Sequence, residues 1–268
     1  MNNFNANHIR RVILDMAYSG ATVHIGCAFS IVELLTVLYS KHLKVDLQNP
    51  ESPTRDYMVL SKGHGVMTQY ACLRELGFLN NADIDNYFKD GTRLKGLADA
   101  HIPGVEVTAG SLGHGLSVAA GLALAAKLNK TDQVCYVLVG DGELNEGPNW
   151  EAAFFATHFR LDNLVVIVDK NGFQAMGSTD EVMTLGNIEE KFKAFGFDAV
   201  TIDGHDEVSI DMAYTNMKKL RNGKPKAIVA TSVKGKGVSF MEHDNSWHYT
   251  RLTPETHAAA IAELGGSA

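Results

Sequence analysis

Five short runs rich in β-branched and other apolar residues punctuate this chain: DYMVL (56–60), VCYVLV (134–139), NLVVIV (163–168), DAVTI (198–202) and KAIVATS (226–232). Strands this apolar are covered on both faces, and strands separated by helical segments pair in parallel. The separating segments carry helical periodicity at 9–18, 30–42, 65–76, 149–159 and 206–220, with a small-residue helix at 116–128. Ser30 is read as the N-cap of the second of these. The pattern predicts an α/β fold with a mostly parallel central sheet and helices on both faces. No internal repeat, low-complexity tract or Pro/Ser-rich linker divides the chain, so residues 1–268 are read as one domain. A chain this long buries about three-quarters of the surface its unfolded form exposes, which is ample for such a sheet.

In sheets of this kind the ligand crevice lies beyond the carboxyl ends of the strands, where helix N-termini and free backbone groups meet it. The polar clusters fall at those ends. VCYVLV runs into Gly140, Asp141 and Gly142, and NLVVIV into Asp169, Lys170, Asn171 and Gly172. Gly-Asp-Gly by itself reads equally well as an ordinary turn. The second cluster changes this, because residues 143–170 suffice for one helix and the next strand, which lets Asp141 and Asn171 face each other across a single crossover. One Asp oxygen, one Asn oxygen and a backbone carbonyl, with the remaining positions left to water and a phosphorylated ligand, make a typical magnesium arrangement. A carboxamide in the second position coordinates without adding repulsion next to a diphosphate.

A net charge of −7 with no offsetting basic stripe argues against nucleic acid or an anionic membrane as partner. The opening residues lack the apolar core of a signal peptide, and no apolar run is long enough to span a bilayer, so a cytoplasmic location is expected. Cys27, Cys72 and Cys135 are odd in number and set among apolar residues. They read as buried thiols in a reducing compartment, without zinc spacing.

The stretch GDGELNEGPNWEAAFFATHFRLDNLVVIVDKNG (140–172) resembles the diphosphate-and-metal motif of thiamine diphosphate enzymes, and its EGxNWEAA and LDNLVVIVDxNG portions resemble transketolase. VHIGCAFS, LSKGHG, PGVEVTAGSLGHGLSVAAG and VKGKGVSFMEHDNSWH follow in transketolase order, so the resemblance covers essentially the whole chain. It implies thiamine diphosphate and Mg2+, or another divalent cation such as Ca2+ or Mn2+, as cofactors. Asp141, Asn171 and the carbonyl of Phe173 would hold the metal, and the backbone of Gly142 would meet the diphosphate. His64 and His248 match histidines near the diphosphate, with His248 also lining the substrate channel, and His24 matches one close to the reacting carbons. Gly110, Ser111 and Leu112 match the loop beside the aminopyrimidine ring. Glu146 matches a carboxylate in a network between two active sites. The implied reaction moves a two-carbon ketol unit from a ketose or ketose phosphate to an aldose, with histidines suited to proton traffic.

The resemblance also implies a missing half. The glutamate that bonds the aminopyrimidine belongs in transketolases to a second α/β domain, and this sequence has no second set of strand-helix alternations. A C-terminal transketolase subunit is expected to supply that pyrimidine-binding domain and glutamate, with two such pairs forming a heterotetramer. The sequence departs from the family where a Gly-His-Pro usually precedes PGVE: it reads LKGLADAHIPGVE, with Leu97 at or next to the expected histidine. Either His101 reaches into the site from a reshaped loop, or that histidine is absent and donor or acceptor specificity differs. We favour the second. His8, His42, His158, His205, His243 and His257 are read as surface or satisfied core residues, VKGKG as a basic loop without a catalytic role, and Cys27 as packing. The glycines of AGSLGHG also fit a helix that merely approaches the sheet closely. Two other readings stand beside this one: the matching subunit of a 2-oxo acid dehydrogenase, which should lack LSKGHG and VKGKGVSFME, and a non-catalytic relative, against which the intact Asp141 and Asn171 count.

Overall fold

A computed structural model describes residues 3–18 and 22–265. In chain order the helices are α1 (Ala6–Tyr18), α2 (Ile25–Phe29), α3 (Val32–Val37), α4 (Val66–Leu76), α5 (Asn81–Asp85), α6 (Gly115–Leu128), α7 (Gly147–His158), α8 (Thr179–Met183), α9 (Ile188–Ala194), α10 (Glu207–Lys219) and α11 (Pro254–Glu263). The strands are β1 (Tyr57–Leu60), β2 (Cys135–Gly140), β3 (Leu164–Lys170), β4 (Phe173–Gln174), β5 (Gly177–Ser178), β6 (Asp198–Asp203) and β7 (Lys226–Thr231).

All five apolar runs form strands of one sheet, ordered β1-β2-β3-β7-β6 and parallel throughout. Because side chains alternate across a strand, each strand feeds two cores. Met58, Tyr136, Leu138, Ile167 and Ile228 pack with α1, α3, α4 and α10. Val59, Val137, Val139, Val166 and Val229 pack with α6, α7 and α9. The expected α/β fold with helices on both faces is therefore present. In α6 the small residues Ala119, Ala120 and Ala123 are buried against the sheet, which lets that helix lie close.

One local expectation fails. Ser30 does not start a helix: its hydroxyl donates to Asp169 Oδ2 at 2.7 Å, and α3 begins instead after Ile31, running into a π-helical turn over Leu38–His42. A buried carboxylate competes successfully with the local capping preference, and the chain turns there to form the floor of a cleft. The short helices α5, α8 and α9 and the antiparallel β4-β5 hairpin are absent from the sequence reading, being too short to show periodicity. The described chain closes on α11, capped by Thr253; most of the glycine-rich tail after it lies outside the described residues. Among the described residues, no helix is long and apolar enough to cross a membrane.

Candidate active site

The register of β2 on β3 pairs Gly140 with Asp169, so both strands end at the same level and their following loops touch. Asp141 stands there with 2% of its surface exposed; its Oδ1 accepts from Gly142 N at 2.8 Å and its Oδ2 from Gly172 N at 2.7 Å. Asn171 is fixed from both sides. Its Nδ2 donates to Asp169 Oδ2 at 2.8 Å, and its Oδ1 accepts from Phe173 N at 3.0 Å. Asp141 and Asn171 thus meet across the single crossover that the spacing suggested. Burial, and after it the neighbouring Asp169 carboxylate, push Asp141 up to about 6. A buried carboxylate in that condition calls for a positive partner. Gln174 Nε2, buried in the same wall without a protein partner among the described residues, offers a donor to an anion. Its side chain lies where a Cβ on Gly142 would be, 2.6 Å from Cγ, so only glycine fits between them. The Asp141 carboxylate and the Asn171 carboxamide are hard oxygen donors of the type a divalent cation takes, and Gln174 Nε2 lines the same cleft.

Two buried ionic devices brace this floor. Lys62 Nζ, from LSKGHG after β1, pairs with Asp169 and donates to Cys27 O at 3.2 Å; neither side chain of the pair is more than 1% exposed. Asp169 also accepts from Ser30, Asn171 and Ser232. Burial alone would raise the Asp169 carboxyl, but the Lys62 ammonium together with the Ser232 and Ser30 hydroxyls holds it below the usual carboxylate range. Glu143 is the second device. It accepts from the Ser61 hydroxyl, from Gly113 N at 2.8 Å and from Gly140 N at 3.0 Å, tying three loops around the cleft to one carboxylate.

Above the floor, three histidines from separate segments converge. Ring centroids of His24 and His64 lie 5.2 Å apart, His24 and His248 5.4 Å, and His64 and His248 5.9 Å. Burial and then the ammonium groups of Lys234 and Lys62 lower His24 to about 4. Burial and Lys234 lead the causes that bring His248 to about 3, and burial and Lys62 lead those that take His64 well below its ordinary value. All three are neutral near pH 7, able to donate at one nitrogen and accept at the other. With Asp141, Gly142, Asn171 and Phe173 they line an open cleft of about 620 Å³.

VKGKG is a packed loop rather than a free basic one. Lys234 is fully buried, with Nζ 2.7 Å from His248 Nδ1, 2.6 Å from Asn245 Oδ1 and 5.5 Å from the Phe173 ring centroid. The available signal was the glycine after it: at Gly235, with φ of +79°, a Cβ would stand 2.2 Å from Met241 O, so the loop is tightly packed rather than loose. Cys27, Cys72 and Cys135 are buried free thiols as expected, and burial raises all three. The surroundings of Cys27 are polar, however, with His248 Nδ1 3.6 Å from its sulfur.

Gly110 and Leu112 line the cleft, and Ser111 between them is exposed and does not. Glu146 sits exposed at the rim, in contact with Gly113, where a Cβ would be 2.6 Å from Glu146 Cβ. Leu97 and His101 resolve into different places. Leu97 lines the cleft with its Cδ1 against Gly110. The His101 side chain is 92% exposed, pairs with Asp99 at 2.7 Å and borders a separate cavity, so it does not reach this site. The two-residue hydrogen bond to Asp99 and the turn at 99–102 keep it outside.

A parallel α/β sheet with a buried aspartate and an asparagine at the ends of neighbouring strands, beneath three histidines, places the chain among α/β proteins whose cleft lies at the carboxyl ends of the strands. The chain belongs to the transketolase family: the family model for "Transketolase, thiamine diphosphate binding domain" matches residues 1–267. It is 38% identical to one of the named subunits of the apulose-4-phosphate transketolase of Phocaeicola vulgatus, covering 95% of this chain and 90% of that one. It is 40% identical to the 6-deoxy-6-sulfo-D-fructose transketolase subunit SqwG of a Clostridium species, covering 97% and 94%. Among solved structures, transketolase from Leishmania mexicana superimposes with a TM-score of 0.91 at 34% identity, covering 98% of this chain and 41% of that one. The chain therefore spans about two-fifths of that longer transketolase.

Proposed function

We propose that residues 1–268 form the N-terminal, diphosphate-binding subunit of a two-polypeptide transketolase that moves a two-carbon ketol unit from a ketose or ketose phosphate to an aldose. The observation that carries this reading is the convergence of Asp141 and Asn171 under His24, His64 and His248 in one cleft. Thiamine diphosphate, when bound, supplies the electron sink for breaking and making the carbon–carbon bond. Asp141, Asn171 and the Phe173 carbonyl hold Mg2+, or Ca2+ or Mn2+ in its stead; the backbone at Gly142 and the side chain of His64 face the diphosphate, and the loop Gly110–Ser111–Leu112 flanks the aminopyrimidine. His24 and His248, neutral by the causes given above, turn ring nitrogens that donate or accept toward the substrate hydroxyls close to the reacting carbons. Glu146, at the rim, faces the neighbouring polypeptide.

A C-terminal subunit completes the site with the pyrimidine-binding domain and its glutamate, two pairs assemble as a heterotetramer, and the enzyme works in the cytoplasm. Support for the split comes from relatives named as transketolase subunits that this chain covers over at least 90% of their length. With Leu97 in the cleft and His101 outside it, the sugar differs from the ordinary pentose phosphate pair; the two relatives above are named for other sugars. The dehydrogenase alternative gains nothing, since Lys62 and Lys234, from the two motifs it should lack, are built into the site.

Calorimetric titration of thiamine diphosphate, with the C-terminal subunit present, tests the cofactor site. Binding should require the divalent cation and weaken at least about 10- to 100-fold in Asp141→Ala or Asn171→Ala, with circular dichroism unchanged. Unaltered metal-dependent binding in either variant would refute the ligand assignment.

A further inference from the structure

A further buried ionic chain, apart from the two that brace the cleft floor, joins α1, α3 and the segment after β6. Arg10 on α1 and Glu33 on α3 pair at 2.7 Å and 2.9 Å, both buried. Glu33 Oε2 also lies 2.9 Å from His205 Nδ1, and His205 follows β6. The other ring nitrogen, Nε2, is 2.8 Å from the backbone N–H of Val233. An N–H pointing at Nε2 leaves that nitrogen only the acceptor role, so the ring proton sits on Nδ1 and is donated to Glu33. His205 is thus a satisfied interior histidine, as its sequence context suggested. It also joins two helices of one layer to the loop that follows β7.

That loop matters because Val233 directly precedes Lys234. The Lys234 ammonium donates to His248 Nδ1 at 2.7 Å, which leaves Nε2 of His248 to carry its ring proton. The loop is also held by Ser232 N on Lys170 O at 3.0 Å and Gly235 N on Gly26 O at 3.2 Å, on either side of the Val233–Lys234 pair, and by the Ser232 hydroxyl on Asp169. Lys236 N on Val233 O at 3.2 Å and His243 N on Lys234 O at 3.1 Å hold it further; of that pair's backbone donors, only the Val233 N–H is taken up by His205. Buried ionic chains contribute little net stability compared with apolar side chains of the same volume. This one ends on the backbone of the residue that must be placed for Lys234 to reach His248.

We infer that His205, oriented by Glu33 and Arg10, is a positioning residue that sets the loop 232–235 so that Lys234 holds His248 in the tautomer with its proton on Nε2. The inference deepens the transketolase reading and rests on it only for its kinetic consequence. Partners that orient metal ligands cost about 10- to 100-fold when removed, and a loss at the lower end of that scale is expected for the partner of a substrate-facing histidine.

The test uses His205→Gln, which can still accept from Val233 and donate to Glu33, His205→Asn, too short to span both, and His205→Leu, which does neither. Nitrogen-15 NMR of histidine-labelled full-length chain reads the His248 tautomer directly. Native chain and His205→Gln should show a protonated Nε2 and a bare Nδ1; His205→Asn and His205→Leu should lose that signature. In the complex with the C-terminal subunit, His205→Gln should keep kcat within about threefold, whereas His205→Asn should lose about tenfold or more at an unchanged folded fraction. A core variant of similar stability loss, Leu14→Ala, controls for general loosening. Should His205→Leu fail to fold, His205→Asn decides. Retention of the His248 signature in His205→Asn, or a loss of kcat no greater than that of Leu14→Ala, would overturn the inference. Absence of cofactor binding by the native complex would instead sink the functional reading, leaving the NMR result to stand on its own.

Discussion

Replacing Lys62 by methionine removes one charge from the floor of the cleft while keeping most of its stem. The pair with Asp169 is at most 1% exposed on either side, so no water is at hand to compensate. Removing one member of a buried pair typically costs about 3–5 kcal/mol. Asp169 would keep three neutral donors, from Ser30 at 2.7 Å, Asn171 at 2.8 Å and Ser232. Each net hydrogen bond contributes about 1 kcal/mol, which places the expected loss near the lower end, about 3 kcal/mol at pH 7. The loss should depend on pH in a direction set by Asp169. In the native chain burial raises that carboxyl, and Lys62 together with the Ser232 and Ser30 hydroxyls keeps it below 3.8. Without Lys62, burial raises it above the unfolded value, so its penalty is absent at low pH and grows as pH climbs through the new folded pKa. Urea denaturation followed by fluorescence of Trp150 and Trp247 at pH 5 and pH 7 measures this. Asp169→Asn added to Lys62→Met should recover about 2 kcal/mol at pH 7, because it removes the uncompensated charge. A deficit under about 1 kcal/mol at pH 7, or one with no pH dependence, would refute the electrostatic role given to this floor.

His24 and His248 give a slope of the opposite sign. Their folded values, about 4 and about 3, lie below the ordinary 6.5, so the unfolded chain binds protons first and stability should fall as pH drops from 6.5 toward 4. His24→Gln should flatten part of that slope in chemical denaturation, and a slope unchanged by it would be contrary. For specificity, His101→Ala should leave ketol transfer nearly unaffected, since the ring is 92% exposed outside the cleft. Leu97→His should shift relative kcat/KM toward common pentose and hexose phosphates by about tenfold or more, the scale on which a hydrogen bond to a substrate hydroxyl discriminates. If those phosphates are already the best substrates of the native enzyme, or His101→Ala abolishes turnover, the reading of that loop fails.

The strands β1, β2, β3 and β7 were legible because they are buried on both faces and therefore written as largely apolar runs, whereas the partly buried edge strand β6 was legible from its β-branched Val200, Thr201 and Ile202. The meeting of Asp141 with Asn171 was legible because one crossover joins adjacent parallel strands and so fixes which ends are neighbours. What stayed hidden depends on partners distant in sequence. Ser30 obeys every local rule for a helix cap, yet Asp169, 139 positions away, takes its hydroxyl. Lys62 and Lys234 look like surface cations by residue type, and only the fold supplies the carboxylate or the imidazole that lets each be buried. Glu143 sits beside the Asp that drew attention, but its three donors come from loops at 61, 113 and 140 that composition cannot bring together. The place of His101 was undecidable from spacing alone, because a reshaped loop and a lost histidine predict the same letters.

If the proposed function is right, this chain holds the diphosphate half of a transketolase site and needs another polypeptide to complete it. The most direct measurement is ketol transfer by the purified 268-residue chain, with thiamine diphosphate and Mg2+, before and after addition of a purified C-terminal transketolase subunit. Weak cofactor binding and no transfer are expected of the chain alone, and turnover that saturates at one partner chain per chain after the addition. Full turnover by this chain alone, shown free of partner by mass spectrometry, would contradict the proposal.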